Sequence, residues 1–301
     1  MKGRNGTIVV GVDGSGASMA AVSWAAQLAS ARHLELEIVH GLQIAALGYG
    51  GSIAGIDVLI DAIRQDGERV VAESRRVAAS IDDDLVITAE TPPGTPASLL
   101  VELSRRARMV VVGATGSGGF AGMLLGTATA TLVSHAHSPV AVIRGRPGSL
   151  RLPESGPVVA GVDGSATSEQ AIAAAFEEAS SRRAPLVAVH AWADGTYEDF
   201  HGTQRIMPQR ESAEKDEERL LAQRLAGWQE KYPAVEVRRV LRRDRPRHAL
   251  LDAAETAQLV VVGSCGRGGF TGMLLGSTSQ ALVQHAACPV LVVRPETPVA
   301  D

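Results

Sequence analysis

The residues from Val110 to Thr127 read VVVGATGSGGFAGMLLGT, and a near copy, VVVGSCGRGGFTGMLLGS, spans Val260 to Ser277. Ten of the fifteen positions from Gly113 to Thr127 are identical in the copy, and both copies fit the pattern G-x2-G-x9-G-[S/T]. A short valine-rich run precedes each glycine loop, which is typical of a parallel strand buried on both faces. The pattern therefore predicts a strand, a glycine-rich loop and a helix, twice in one chain.

The glycine loops have the composition of a phosphate-binding site. Glycine lets the backbone adopt positive φ and approach a ligand without an intervening Cβ, and successive N–H groups can form an anion-binding concavity. The last glycine of each loop precedes a helix, so Thr127 and Ser277 lie where N–H donors and the helix dipole favour a phosphate oxygen. The alternative is that the glycines only form a tight turn between strand and helix.

The two loops belong to a repeat that runs through the whole chain at an offset of 150 residues. Its matched pairs include Gly11 and Gly161, Asp13 and Asp163, His40 and His190, Pro96 and Pro246, and Arg144 and Arg294. We therefore divide the chain into a first domain over 1–146, a linker over 147–157 and a second domain over 158–301. Strand and helix patterns alternate within each half, which predicts two tandem doubly wound, Rossmann-like α/β domains with parallel sheets and pseudo-two-fold symmetry.

Several polar residues and glycines fall at the carboxyl ends of the predicted strands, where open α/β sheets bind their ligands. Besides the glycine loop, each half has a glycine at the end of strand 1, an aspartate just after it and a histidine that ends strand 2: Gly11, Asp13 and His40, with the copies Gly161, Asp163 and His190. We therefore expect one ligand site at this edge of each half.

The final strand of each half predicts how the halves meet. The segments Val140 to Arg144 and Val290 to Arg294 are apolar and would each leave a sheet edge, and such edges pair readily. A linker of about a dozen residues is long enough to bring them together. We expect the two strands to lie adjacent and antiparallel about the pseudo-two-fold axis.

Composition argues against several classes of protein. A net charge of −4 and an aromatic content of 3% give neither the electrostatic footprint nor the stacking surface of a nucleic-acid-binding protein. No apolar run approaches the roughly 18 residues of a membrane helix, and the N-terminus lacks a signal-peptide pattern, so we expect a cytoplasmic protein. Cys265 and Cys288 have no ligand-like spacing, which predicts neither a disulfide framework nor a zinc site.

Two common nucleotide-binding motifs do not occur at the expected places. The chain has no G-x-x-x-x-G-K-[S/T], which excludes a P-loop nucleoside triphosphatase such as a motor protein or a GTPase. The glycines after strand 1 have the wrong spacing for a dinucleotide fingerprint. A match to G-x-G-x-x-A at Gly116, Gly118 and Ala121 follows strand 4 instead and fails at Thr271 in the copy.

The chain resembles the universal stress protein family, specifically its tandem two-domain members. The resemblance covers essentially the whole chain and rests on the duplicated glycine pattern, the V-G-V-D-G-S segment from Val10 to Ser15, and the closing H-A-x-x-P-V-x-V segments. The nucleotide-binding subgroup of that family carries the same G-x2-G-x9-G-[S/T] pattern. The resemblance implies an adenine nucleotide alpha hydrolase-like fold with one ATP site in each half.

The resemblance also implies roles for individual residues. ATP phosphates, with Mg²⁺ held by them, would contact Gly113, Gly116, Gly126 and Thr127 in the first half and Gly263, Gly266, Gly276 and Ser277 in the second. Asp13 and Asp163 would lie near ribose or adenine, where a carboxylate accepts hydrogen bonds from hydroxyl or amino groups instead of repelling a phosphate. The alternative for Asp13 is a simple helix N-cap.

Four further residues belong to the predicted sites. His40 and His190 have no serine, cysteine or paired carboxylate beside them, so we expect them at the pocket wall and not in catalysis. Ser117 of the first loop is replaced by Arg267 in the second, where a guanidinium either adds a charge-assisted contact to a phosphate or points to solvent.

The function implied by the resemblance is that of a cytoplasmic ATP-binding regulator linked to stress or dormancy, with one ATP site per domain, that acts through a homodimer or a separate protein partner. One alternative is a slow ATPase or autokinase, for which the sequence offers no evident general base beside the γ-phosphate. Another is an interaction module that binds no nucleotide, against which the intact glycines of both halves argue.

Overall fold

The computed structural model describes residues 6–44, 56–117, 124–146, 149, 151–192, 210–266 and 274–294. The first half contains β1 (Thr7–Gly11), α1 (Gly16–Ala31), β2 (Glu35–Val39), α2 (Ile56–Ala79), β3 (Ile87–Glu90), α3 (Pro96–Leu103), β4 (Met109–Gly113), α4 (Thr127–His135) and β5 (Val140–Ile143). The second half contains β6 (Val158–Gly161), α5 (Ala166–Arg182), β7 (Leu186–Trp192), α6 (Arg210–Lys231), β8 (Val237–Arg243), α7 (Pro246–Ala254), β9 (Leu259–Gly263), α8 (Ser277–His285) and β10 (Val290–Val293). The predicted alternation of strand and helix is confirmed in both halves.

All of these strands belong to one sheet with the order β3-β2-β1-β4-β5-β10-β9-β6-β7-β8. Neighbouring strands within each half run parallel, as the doubly wound prediction requires. In this topology the order reverses between β1 and β4, and between β6 and β9, which places a crevice at the carboxyl ends of those strands. Each glycine loop leaves β4 or β9 at that point.

The sheet is covered by helices on both faces, and an apolar cluster fills the space on each side. Because side chains alternate along a strand, Ile8 and Val10 contribute to one cluster while Val9 contributes to the other. Helices α1, α2, α5 and α6 pack on the first face, and α3, α4, α7 and α8 pack on the second. Among the described helices, none combines the length and apolar character needed to cross a lipid bilayer.

The two halves are joined through β5 and β10, which pair antiparallel with Val140 opposite Val292 and Val142 opposite Val290. The predicted pairing of the final strands is therefore confirmed. We call the antiparallel pair of β5 and β10 the seam between the halves. Two arginines stabilise it by hydrogen bonds to the opposite half. Arg144 donates to the Val283 carbonyl oxygen near the end of α8, and Arg294 donates to the Val133 carbonyl oxygen near the end of α4. A cation at a helix C-terminus is favoured by the helix dipole.

The structure differs from the prediction at the end of strand 2, which the sequence predicts to end in histidine in both halves. Strand β2 stops at Val39, just before His40, whereas β7 continues through His190 to Trp192 and pairs with a β8 that extends to Arg243. Prolines explain the difference, since the chain beside β2 reaches Pro92 and Pro93, and a proline has no N–H to continue the ladder. The corresponding residues of β8 all have a backbone donor.

Candidate functional site

The turn after strand 1 is built by an aspartate, a glycine and a serine in both halves. Gly14 has φ of 81° and Gly164 has φ of 78°, a left-handed conformation that glycine adopts without strain. The turn lets Asp13 Oδ1 accept the Ser15 N–H at 3.0 Å, and Ser15 Oγ accepts the Ser18 N–H at 3.1 Å. Ser15 is therefore the N-cap of α1, and the alternative in which Asp13 caps that helix is wrong.

The aspartate lies directly against the glycine loop. Asp13 Oδ2 accepts the Ser117 N–H at 2.6 Å, and a Cβ added at Gly116 would lie 2.6 Å from the same oxygen. A Cβ at Gly266 would likewise lie 2.6 Å from Asp163 Oδ2. The structure thus brings the aspartate and the loop into contact, although the sequence argument assigned them to opposite ends of a nucleotide.

The surroundings of Asp13 keep its carboxyl group ionised. Burial raises its pKa, but hydrogen bonds from Ser15 and from the Ser117 amide favour the charged form and outweigh burial, so the net pKa is lowered. An ionised carboxylate accepts hydrogen bonds and attracts cations, and it cannot donate to a phosphate oxygen.

At Gly113, Gly116, Gly263 and Gly266 the glycine is needed for close approach and not for a special backbone conformation. None of the described loop glycines, at positions 113, 116, 126, 263, 266 and 276, has positive φ, so the expectation of left-handed backbone there is wrong. A Cβ at Gly113 would lie 2.9 Å from the backbone carbon of Ala17 in the first turn of α1. Gly126 is different, because its φ of −69° and ψ of 149° suit any residue and its added Cβ would meet nothing closer than 3.6 Å.

The helices that follow the glycine loops begin without a side-chain cap from any residue that the structure describes. Gly126 and Gly276 occupy the N-cap positions of α4 and α8. Serine or threonine side chains cap α1, α3 and α5, whereas α7, with Arg245 at its N-cap, has no side-chain cap either. The first-turn N–H donors of α4 and α8 are therefore open to an anion.

A second contact fixes each of these helices against its strand. Thr129 Oγ1 donates to the Gly113 carbonyl oxygen at 2.9 Å, and Ser279 Oγ donates to the Gly263 carbonyl oxygen at 2.6 Å. The end of β4 or β9 and the first turn of the next helix thus form one rigid corner. A ligand held at this corner meets preorganised donors.

One cavity lies at this corner in each half, with a volume of about 540 Å³ in the first half and about 430 Å³ in the second. These volumes are in the range of small-molecule sites. The first cavity contains all of the predicted residues of its half: Gly11, Asp13, His40, Gly113, Gly116, Ser117, Gly126 and Thr127. The second contains Gly161, Asp163, His190, Gly263, Gly266, Gly276 and Ser277. The remaining predicted residue, Arg267, lies outside the described residues.

The two histidines tie strand 2 of each half to strand 1. His40 Nδ1 lies 2.8 Å from the Val12 carbonyl oxygen, and His190 Nδ1 lies 2.6 Å from the Val162 carbonyl oxygen, so in each ring Nδ1 is the donor. His190 Nε2 also lies 2.9 Å from Glu217 Oε2. Since Nδ1 already carries a proton, this contact needs either a second ring proton or a protonated carboxyl group.

Among the lining residues of the second cavity that the sequence did not predict, Trp192 and Glu217 bear most on a ligand. Trp192 is two residues after His190 and so faces the same side of β7, which is a signal that the sequence does contain. Glu217 comes from α6, and the sequence alone does not place that helix relative to the strand. Within the described residues, no group of three or more histidine, cysteine or acidic side chains is arranged to hold a metal ion.

Comparison with known proteins gives one result for both halves. The model of the universal stress protein family matches residues 4–144 and 155–294. Universal stress protein Rv1996 of Mycobacterium tuberculosis is 42% identical over 305 residues, which covers 97% of this chain and 96% of the relative. Universal stress protein Rv2005c of the same organism is 42% identical over 290 residues, with coverage of 95% and 96%. The crystal structure of a universal stress protein from Archaeoglobus fulgidus has a TM-score of 0.70 at 19% identity, over 96% of this chain and 98% of its own.

Proposed function

The chain belongs to the universal stress protein family, and we propose that each of its halves binds one ATP molecule at the carboxyl edge of the sheet. One observation carries the proposal, namely that both halves place a glycine loop beside an uncapped helix N-terminus within a cavity. The N–H donors and helix dipole of such a corner favour phosphate groups. The cavity volumes, about 540 Å³ and about 430 Å³, leave room for a nucleoside beyond the phosphates.

The residues present fit the chemistry of ATP. The triphosphate would meet the N–H groups of Gly116 and Thr127, and their copies in the second half. Gly126 would serve by its small size, because its own N–H donates to the Ala114 carbonyl oxygen at 2.8 Å. Asp13 and Asp163 stand beside the loops and suit ribose hydroxyls, or the Mg²⁺ that accompanies the phosphates, because a carboxylate accepts hydrogen bonds and binds hard cations. Cβ atoms at Gly116 and Gly266 would collide with these carboxylates, which supports a role for small residues there.

We propose that ATP binding is regulatory and not the first step of a reaction. A general base needs a free lone pair within reach of its proton. Both ring nitrogens of His190 already have partners. His40 donates from Nδ1 to the Val12 carbonyl oxygen, so its Nε2 lone pair is the histidine base that the turnover assay below tests. ATP occupancy would instead bias a homodimer or a separate protein partner in the cytoplasm, as full-length similarity to universal stress proteins suggests.

The experiment is isothermal titration calorimetry of the purified full chain with ATP and Mg²⁺, together with mass spectrometry of nucleotide released on denaturation. We expect two binding sites per chain with dissociation constants below millimolar. The absence of both heat and co-purified nucleotide would refute the proposal. Steady-state release of ADP well above a protein-free control would instead favour the slow ATPase.

A further inference from the structure

The phosphate ends of the two cavities match, but their opposite walls do not. Leu42 and Trp192 occupy equivalent positions, two residues after His40 and His190, and each lines its own cavity. Leu42 is buried and forms a bridge to Pro93, whereas Trp192 is half-buried on the side of β7 that faces α6. An indole ring therefore stands where the first half has a small aliphatic group.

The residues that face these two positions differ as a matched pair. Gly67 of α2 approaches the strand end so closely that a Cβ would lie 2.7 Å from Leu42 Cδ2 and 3.1 Å from His40 Cδ2. Glu217 takes the equivalent place on α6 and reaches His190 Nε2 at 2.9 Å. Helix α2 therefore approaches the strand end through a glycine, whereas α6 contacts it through a carboxylate side chain. Leu42 is buried against Gly67, while the indole ring of Trp192 is half-buried and lines its cavity.

We propose that Trp192 is a base-stacking residue, and that the second cavity recognises the nucleobase of its ligand while the first recognises mainly the phosphates. This inference rests on the proposed function. The faces of nucleobases stack on aromatic rings whatever the base, so the preference is for a nucleotide over a bare polyphosphate. The contact between His190 and Glu217 acts as a spacer that keeps the ring accessible.

The intrinsic fluorescence of the full chain reports on this cavity selectively. The other tryptophans lie elsewhere, since Trp24 is buried in the core and Trp228 stacks with Phe176 and Tyr232. The probes are ATP and inorganic tripolyphosphate, each with Mg²⁺, titrated into wild type and three variants. Trp192→Leu restores the first-half residue, Trp192→Phe keeps a ring, and Trp228→Phe is the matched control outside the cavities.

We expect ATP to quench wild type and Trp228→Phe, and tripolyphosphate to bind without quenching. Trp192→Leu should lose the quenching, and its second-site affinity for ATP by calorimetry should fall roughly five- to tenfold, because leucine keeps the apolar contact but not the stacking. Trp192→Phe should retain affinity within about twofold. Two-site ATP binding that Trp192→Leu leaves unchanged would overturn the stacking inference alone. Failure of wild type to bind either probe would overturn the proposed function as well.

Discussion

Replacing Gly126 by alanine separates ligand binding from folding more cleanly than a change at Gly113 or Gly116, the other described glycines of the first loop. The added Cβ would lie 3.6 Å from the Gly116 nitrogen and 3.7 Å from Thr129 Oγ1, which are ordinary van der Waals distances. The backbone at Gly126, with φ of −69° and ψ of 149°, accepts alanine without strain. The methyl group would therefore fit the protein while standing beside the loop amide that is proposed to meet a phosphate oxygen.

The two energetic consequences differ in size. Alanine reduces the entropy of the unfolded chain, which stabilises by roughly 0.4–1 kcal/mol, but it is a poorer N-cap than glycine by a similar amount. The free energy of unfolding should thus change by less than about 1 kcal/mol. Loss of one charge-assisted hydrogen bond to phosphate costs about 1.5–3 kcal/mol, which lowers ATP affinity roughly 10- to 150-fold.

The assay combines urea unfolding with calorimetric titration of ATP. In Gly126→Ala the first site should weaken while the second site, unaltered, serves as the internal control. Gly116→Ala is the contrasting variant, because its Cβ would lie 2.6 Å from Asp13 Oδ2 and should disturb the loop itself. Unchanged affinity at both sites of Gly126→Ala would show that the glycine only forms a turn and would refute the reasoning.

Three further predictions concern the seam, the thiols and acid stability. Arg144→Ala removes the hydrogen bond to the Val283 carbonyl oxygen across the seam, and should lower the free energy of unfolding by about 1.5–3 kcal/mol in urea titrations while ATP affinity stays unchanged. Burial raises the pKa of Cys288 to about 12, so iodoacetamide at neutral pH should label only Cys265, which lines the second cavity, and ATP should slow that labelling. The lowered pKa of Asp13 contributes stability that is complete above its ordinary value of 3.8 and is lost as pH falls through the lower folded value; Asp13→Asn should flatten that acid limb of the unfolding curve.

The order and pairing of the strands could be predicted because each rests on a local or repeated signal. Valine-rich runs such as Val110–Val112 mark buried strands whatever surrounds them, and a constant offset of 150 residues forces both halves into one topology. The antiparallel seam followed from a simple requirement, namely that two equivalent apolar edges in one chain must be covered. The structure pairs them as β5 and β10.

The contacts within the site could not be predicted in the same way, because they depend on where separate elements come to lie. The hydrogen bond from the Ser117 amide to Asp13 joins residues that are far apart in sequence, and no pattern in either segment predicts it. The steric need for a loop glycine such as Gly113 could not be predicted either, because the neighbour that excludes a side chain, Ala17, belongs to a helix distant in sequence. Glu217 could not be predicted because α6 is highly charged, and the sequence of that helix does not distinguish a residue that faces the cavity from one that faces solvent.

The duplicated fold explains why the two cavities agree at one end and diverge at the other. At the end proposed to hold the phosphates, the contacts would be made by the backbone, and atoms within about 3 Å of an added Cβ at Gly113 and Gly263 leave no room for a larger residue there. At the opposite end each wall combines a residue at a strand end with one on the facing helix: Leu42 and Gly67 in the first half, Trp192 and Glu217 in the second. A tandem protein can therefore keep two phosphate-binding corners while changing what one of them recognises beyond the phosphates.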